Sequence, residues 1–140
     1  MKNTSLSLAD IGRTQHVKRW HIVDMLKDQS VAEHSFMVAM ICMEIMDVAG
    51  FNDPGLRAAT MAYALIHDAT EGITGDVPSP VKGKVQGYSE LEAKLDPAGS
   101  RFKVRYSGLV SRMVKMADLI EAIHHLEKYG MRGPARDCTL

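Results

Sequence analysis

Residues 63–76 read YALIHDATEGITGD, setting a histidine and an aspartate side by side directly behind four residues that mostly prefer to leave water. Burying an imidazole and a carboxylate without partners costs several kcal/mol, so other parts of the chain must bring compensating groups to His67 and Asp68. Just upstream, Asp53-Pro54 supplies an N-cap acid and then a proline at the first helical position, where its missing N–H does no harm. Leu56, Ala59, Thr60, Tyr63, Ala64, Ile66 and His67 carry that helix forward to Glu71, and Gly72 is expected to end it. Gly75, Pro78 and Pro80 keep the loop ITGDVPSPVKG from resuming a helix at once.

Two longer helices flank this one. Ser30-Val-Ala-Glu33 has the form of a capping box, in which serine hydroxyl and glutamate carboxylate reciprocally satisfy backbone donors at a helix start. Phe36, Met37, Met40, Ile41, Ile45 and Met46 follow at three- and four-residue spacing, and Gly50 stands where a left-handed cap belongs. From Ser107 a second pattern runs through Leu109, Val110, Met113, Val114, Ala117, Ile120, Ile123 and Leu126 and stops near Gly130. A short helix is expected around residues 88–95, and one or two more near Leu8, Ile11 and RTQHVKRWHIVDML. RFKVRY (101–106) alternates as a strand does, but no second clear strand exists to pair with it. The expected fold class is all-α: residues 1–140 form one domain, a single compact helical bundle.

Composition narrows the function. A chain of 140 residues buries roughly two thirds of its unfolded surface in one core. Cys42 and Cys138 form no CxxC or disulfide-dense pattern, so a reducing, cytoplasmic setting is expected. MKNTSLSLAD lacks the apolar run of a secretion signal, and FMVAMICMEIM is broken by Glu44 and too short for a bilayer. No membrane partner is expected. Seventeen basic against seventeen acidic residues give zero formal charge, so no global attraction to nucleic acid or anionic lipid is built in.

Four side chains with metal-ligand chemistry sit among apolar neighbours: His34 in the first turn of one helix, His67 and Asp68 late in the next, and Asp118 within the last. Adjacent helical positions point about 100° apart, so His67 and Asp68 straddle one ion only if it lies beside their helix, where His34 and Asp118 close the set. Two imidazoles and two carboxylates suit Zn, Mn, Fe or Co. The blander alternatives are a hydrogen-bonded core histidine, a chance His-Asp pair, and Asp118 paired with Lys115 one helical turn away. Spacing alone leaves both open.

The order His34, His67-Asp68, Asp118 on successive helices resembles the HD-domain metal phosphohydrolases. Within that superfamily, Arg19-Trp20, SVAEHS at 30–35, HDATEGITGDVPSPVK at 67–82 and VKMAD at 114–118 resemble the YfbR-like 5′-deoxynucleotidases, a likeness shared with phage dATP triphosphohydrolases. The resemblance implies an HD-domain helical bundle with a metal-dependent deoxynucleotide phosphohydrolase activity, on dNMP or on dNTP, with dATP among the substrates. It makes His34, His67, Asp68 and Asp118 ligands of one divalent ion (Zn, Co or Mn) and Glu71 the acid/base or water-orienting carboxylate. Asp76 is implied to bind the sugar 3′-hydroxyl, Trp20 to crowd the 2′ position, and Arg19, Lys82 and Lys115 to clamp phosphate. A homo-oligomer is implied as well. The interval from PSPVK to Asp118 is shorter than in typical members, which keeps triphosphate hydrolysis beside monophosphate hydrolysis.

Taken without the resemblance, Glu71 reads as a solvent-facing acid unfavourably placed against the macrodipole at a helix C-terminus, and Trp20 as a core or rim aromatic. A competing class is a small helical nucleic-acid-binding module built on RTQHVKRW and RFKVRY. Zero net charge and few aromatics (Trp 1, Tyr 4, Phe 3) count against it.

Overall fold

In a computed structural model, the structure describes residues 6–96, 102 and 107–133. The described residues form helices and no strand: α1 (Leu8–Gly12), a 3-10 turn (Arg13–Gln15), α2 (Val31–Ala49), α3 (Pro54–Ile66), α4 (Glu71–Thr74), α5 (Ser79–Lys82), α6 (Tyr88–Leu95) and α7 (Gly108–Tyr129). The alternating segment 101–106 lies, apart from Phe102, outside the described residues, as does Cys138.

The three long helices begin where the local chemistry places them. Ser30 Oγ accepts from Glu33 N while the Glu33 carboxylate accepts from Ser30 N, and Gly50 closes α2 at φ 74°. Asp53 caps α3 through Leu56 N, with Pro54 at the first position, and Ser107 caps α7 through Val110 N. These helices pack on one another around Val38, Ala39, Cys42 and Met46 of α2, Ala64 of α3, and Val110, Met113, Val114 and Ala117 of α7.

Two expectations need correction. Phe36, Met37 and Met40 do not enter the core: Phe36 is 58% exposed, and smaller residues at 38, 39 and 42 face inward instead. On α7, Leu109, Ile120 and Ile123 likewise stay exposed. Both helices are apolar on more than one face, so periodicity could not select the buried one.

Second, α3 does not run to Glu71. It ends at Ile66, three-residue turns carry the chain through 67–70 (Ala69 N to Ile66 O, 2.9 Å; Gly72 N to Ala69 O, 3.1 Å), and α4 then starts at Glu71. The His67 ring helps to end the helix, because its Nδ1 lies 2.7 Å from the Ala64 carbonyl oxygen, which a continuing helix would offer to a backbone N–H. Gly72 is therefore no cap. It lies inside α4 where a Cβ would meet the Asp10 carbonyl oxygen at 1.9 Å, so a glycine is what lets α1 approach α4. Gly72→Ala is expected to destabilise the protein by about 1–3 kcal/mol through this overlap. An unchanged urea midpoint in equilibrium unfolding would contradict the contact.

Candidate metal centre and cleft

His34 is in the first turn of α2, where the capping box fixes the backbone, and its ring is fully buried. His67 caps the C-terminal end of α3, Asp68 follows it in the turn, and Asp118 projects from the middle of α7. One ligand atom from each of these four residues lies within 4.8 Å of the others. His34 Nε2 is 2.7 Å from Asp118 Oδ1 and 3.8 Å from Asp68 Oδ2; His67 Nε2 is 3.1 Å from Asp68 Oδ2 and 3.9 Å from Asp118 Oδ1.

The donor chemistry fits a divalent ion. His67 Nδ1–H donates to Ala64 O, which turns Nε2 toward the carboxylates, where it is buried 3.1 Å from Asp68 Oδ2 without the alignment of a hydrogen bond. In the absence of an ion the charges of the cluster compensate one another. Burial disfavours the His67 imidazolium, yet Asp68 and Asp118 outweigh burial and raise its pKa to about 10. Burial likewise opposes charge on Asp68 and Asp118, but His67 with Lys82 and His34 at Asp68, and the two histidines at Asp118, overcome it and hold both carboxylates well below 3.8. Two imidazoles and two ionised carboxylates around one point are a group able to hold a divalent ion. Asp118 does pair with Lys115 (3.7 Å), but on its outer oxygen.

Glu71 departs most from its sequence reading. It is only 2% exposed, and because α4 begins at this residue it stands in the first turn of a helix, where negative charge is favoured. The unfavourable macrodipole inferred from a longer α3 does not exist. Its Oε1 accepts from Val77 N (3.0 Å) and lies 3.3 Å from Lys82 Nζ, whereas Oε2 is buried without a partner among the described residues. Burial first, then the Asp68 charge, push its pKa up to about 7. Lys82 Nζ also reaches Asp68 Oδ1 at 3.2 Å; burial opposes its charge, but Asp68 and Glu71 outweigh that and lift its pKa above 10.5.

A cleft of about 880 Å³ opens beside this cluster. Arg19, Asp68, Glu71, Asp76, Lys82 and Asp118 supply its polar lining, and Trp20, Val23, Pro78, Leu119, Ile123 and Leu126 its apolar lining. Asp76 is nearly buried, its pKa raised by burial, with His21 Nε2 3.7 Å away. Arg19 and Trp20 reach the cleft because Arg19 N pairs with Gln29 O and Val31 N with Val17 O, stitching segment 17–19 to the start of α2. Trp20 has φ 67°, a left-handed conformation that costs an L-residue roughly 1–2 kcal/mol. Its indole N–H to Gln29 Oε1 (3.0 Å) and its stack on His125 offset that cost. Three of the expected site residues are outside the lining: His34 and His67, which meet the cleft only through Asp68 and Asp118, and Lys115, 55% exposed one turn from Asp118.

Two site residues escaped the sequence reading. Glu121 is buried with Oε2 2.5 Å from His34 Nδ1, and buried Gln29 donates to its other oxygen. An acid inside the apolar run LIEAI, three residues after Asp118 on the same helix, was the available signal for Glu121; Gln29, in the loop before α2, had none.

Comparison with known proteins agrees with this geometry. The YfbR-like family of 5′-deoxynucleotidases matches residues 8–127. A dATP triphosphohydrolase of Acinetobacter phage SH-Ab 15497 is 38% identical over 141 residues, covering 89% of this chain and 68% of the phage protein. A 5′-deoxynucleotidase of Shewanella oneidensis is 30% identical over 112 residues, covering 72% of this chain and 57% of its own length. The solved HD phosphohydrolase of cyanophage S-2L, DatZ, bound to dA and one catalytic Zn2+ ion, superimposes with a TM-score of 0.80 at 28% identity over 94% of this chain and 77% of that one. With the family matched across most of this chain's length and the His/Asp cluster in place, the chain belongs to the YfbR-like 5′-deoxynucleotidase family.

Proposed function

We propose that this protein is an HD-type, metal-dependent phosphohydrolase that cleaves the 5′-phosphate ester of deoxynucleotides, with dATP as a substrate and triphosphate as its leaving product. The reading is carried by one observation: Asp68 and Asp118 stand in the wall of a nucleotide-sized cleft, with His34 and His67 gathered within 4.8 Å of them and Glu71 buried in the same wall. The phage relatives named dATP triphosphohydrolase support the triphosphate, and the family match with the Shewanella relative supports monophosphate hydrolysis as the second reading.

His34, His67, Asp68 and Asp118 would hold one divalent ion, with Zn, Co or Mn suited to the set. Such an ion supplies Lewis acidity at a phosphoryl oxygen and makes water more acidic. The chain's residues do the rest. Glu71, with a pKa near neutrality and a free Oε2, takes a proton from the attacking water and passes it to the departing 5′ oxygen as the water oxygen bonds to the α-phosphorus. Arg19 and Lys82 place positive charge along the polar wall, and Lys115 adds charge at the rim for a longer phosphate chain. Asp76 accepts from the 3′-hydroxyl, and Trp20 closes the space a 2′-hydroxyl needs. The exposed apolar row Phe36, Met37 and Met40 supports a homo-oligomer. Among the described residues no helix is long and apolar enough to cross a membrane. The balanced charge speaks against a nucleic-acid module.

Metal-loaded protein offered dAMP, AMP, dATP and dGTP is expected to convert dATP to deoxyadenosine and triphosphate and to stop on chelation. Release of orthophosphate alone from dATP would remove the triphosphate reading, and salt-sensitive oligonucleotide binding without any turnover would favour the binding module. Glu71→Gln is expected to lower kcat by about 10²–10⁴-fold while retaining metal, whereas His67→Ala loses both metal and turnover at unchanged helicity. A fully active His67→Ala would contradict the site.

Metal and pH are linked through His67. In the metal-free protein its folded-state pKa, about 10, exceeds the ordinary 6.5. The stabilisation this provides is complete below 6.5, declines as pH rises, and is gone above about 10. Asp68 and Asp118 have the opposite sign: their stabilisation is present above 3.8 and is lost in acid. Chelated protein should therefore lose melting temperature between neutrality and pH 10 more steeply than zinc-loaded protein, whose His67 carries no Nε2 proton. Equal alkaline slopes in the two forms would contradict the pairing.

A further inference from the structure

Gln29 and Glu121 belong to neither the ligand set nor the cleft lining, yet both are buried and both connect to groups that do. Gln29 Oε1 lies 2.7 Å from Arg19 Nη1 and 3.0 Å from Trp20 Nε1. Guanidinium and indole nitrogens only donate, so this atom must be the amide oxygen and the amide nitrogen must face Glu121. Glu121 Oε1 then accepts from Gln29, leaving Oε2 as the acceptor 2.5 Å from His34 Nδ1. Arg19 Nη1 also lies 2.7 Å from that ring nitrogen, but an Nδ1 lone pair turned to Arg19 would oppose the Glu121 oxygen lone pair to lone pair. Gln29 Oε1 accepts from Arg19 Nη1, and Glu121 Oε2 lies 3.6 Å from the same nitrogen, so the guanidinium has acceptors without His34.

We infer that Glu121 and Gln29 are positioning residues: Glu121 holds a proton on His34 Nδ1 so that Nε2 is offered to the metal, and Gln29 orients Glu121 while tying Arg19 and Trp20 to the same ligand. One run of fixed donor and acceptor directions thus joins the wall that meets the sugar and phosphate to the innermost metal ligand. The inference rests on the four-ligand reading of the metal site and adds what sets the geometry of one ligand.

The test uses zinc binding by calorimetry and the visible spectrum of the cobalt-substituted protein. In Glu121→Gln the new amide must turn its NH2 either against Gln29 NH2 or against His34 Nδ1–H, so one donor always meets another. Zinc affinity is expected to fall by about ten- to a hundredfold, with a shifted cobalt spectrum that a loss of stability alone would not produce. The double exchange, Gln29→Glu with Glu121→Gln, restores an acceptor for every donor. The carboxylate introduced at position 29 accepts from Arg19, from Trp20 and from the amide introduced at position 121, whose own oxygen accepts from His34. This exchange variant is expected to be folded and to recover most of the affinity.

Glu121→Gln binding zinc within about threefold of wild type would overturn the inference. So would an exchange variant that is unfolded, or folded but as weak as Glu121→Gln. If Glu121→Gln alone fails to fold, the exchange variant decides, against the wild-type affinity. Absence of zinc binding in the wild type would instead strike the metal reading itself, which keeps the two failures distinct.

Discussion

Two imidazoles and two carboxylates, each costly to bury alone, share one point between α2, α3 and α7, and each makes the others tolerable there. Without a metal these groups face one another: His34 Nε2 lies against Asp118, and His67 Nε2 near Asp68. With a divalent ion the same atoms face a charge they can all bind. The three long helices that form the core are also the elements that deliver these side chains, so packing and chemistry constrain each other. Val38, Cys42, Val114 and Ala117 set the spacing at which His34 can reach Asp118.

The end of α3 turns this cluster into a site. A helix continuing through residue 71 would have kept His67, Asp68 and Glu71 on one regular spiral. The turn instead lets His67 bond back to Ala64, swings Asp68 toward both histidines and Lys82, and starts α4 at Glu71 with its carboxylate buried. Gly72, pressed against the Asp10 carbonyl, admits α1 to the outer side of that turn. Local backbone irregularity here serves the placement of three charged groups within a few ångströms.

Trp20 shows a second use of strain. Its left-handed backbone would be unfavourable in isolation; Gln29, His125 and the short pairing of residues 17–19 with 29–31 hold it in place. Trp20 is thereby fixed beside Arg19 in the lining of the cleft.

The helix starts were legible in the sequence because each depends on a few adjacent atoms: Ser30 with Glu33, Asp53 with Pro54, and Ser107 ahead of α7. The residue types and order of His34, His67-Asp68 and Asp118 likewise announced cation chemistry, though periodicity alone could not separate them from core histidines and paired acids. Tertiary structure decided which face of α2 and α7 is buried, since both are apolar on several sides and only their neighbours choose. It decided that Glu71 opens a helix instead of closing one, because that follows from a ring-to-carbonyl bond no spacing rule contains. Glu121 and Gln29 became visible only in three dimensions. Their place depends on donors and acceptors 87 and 92 residues apart meeting in a buried space where each must find a partner.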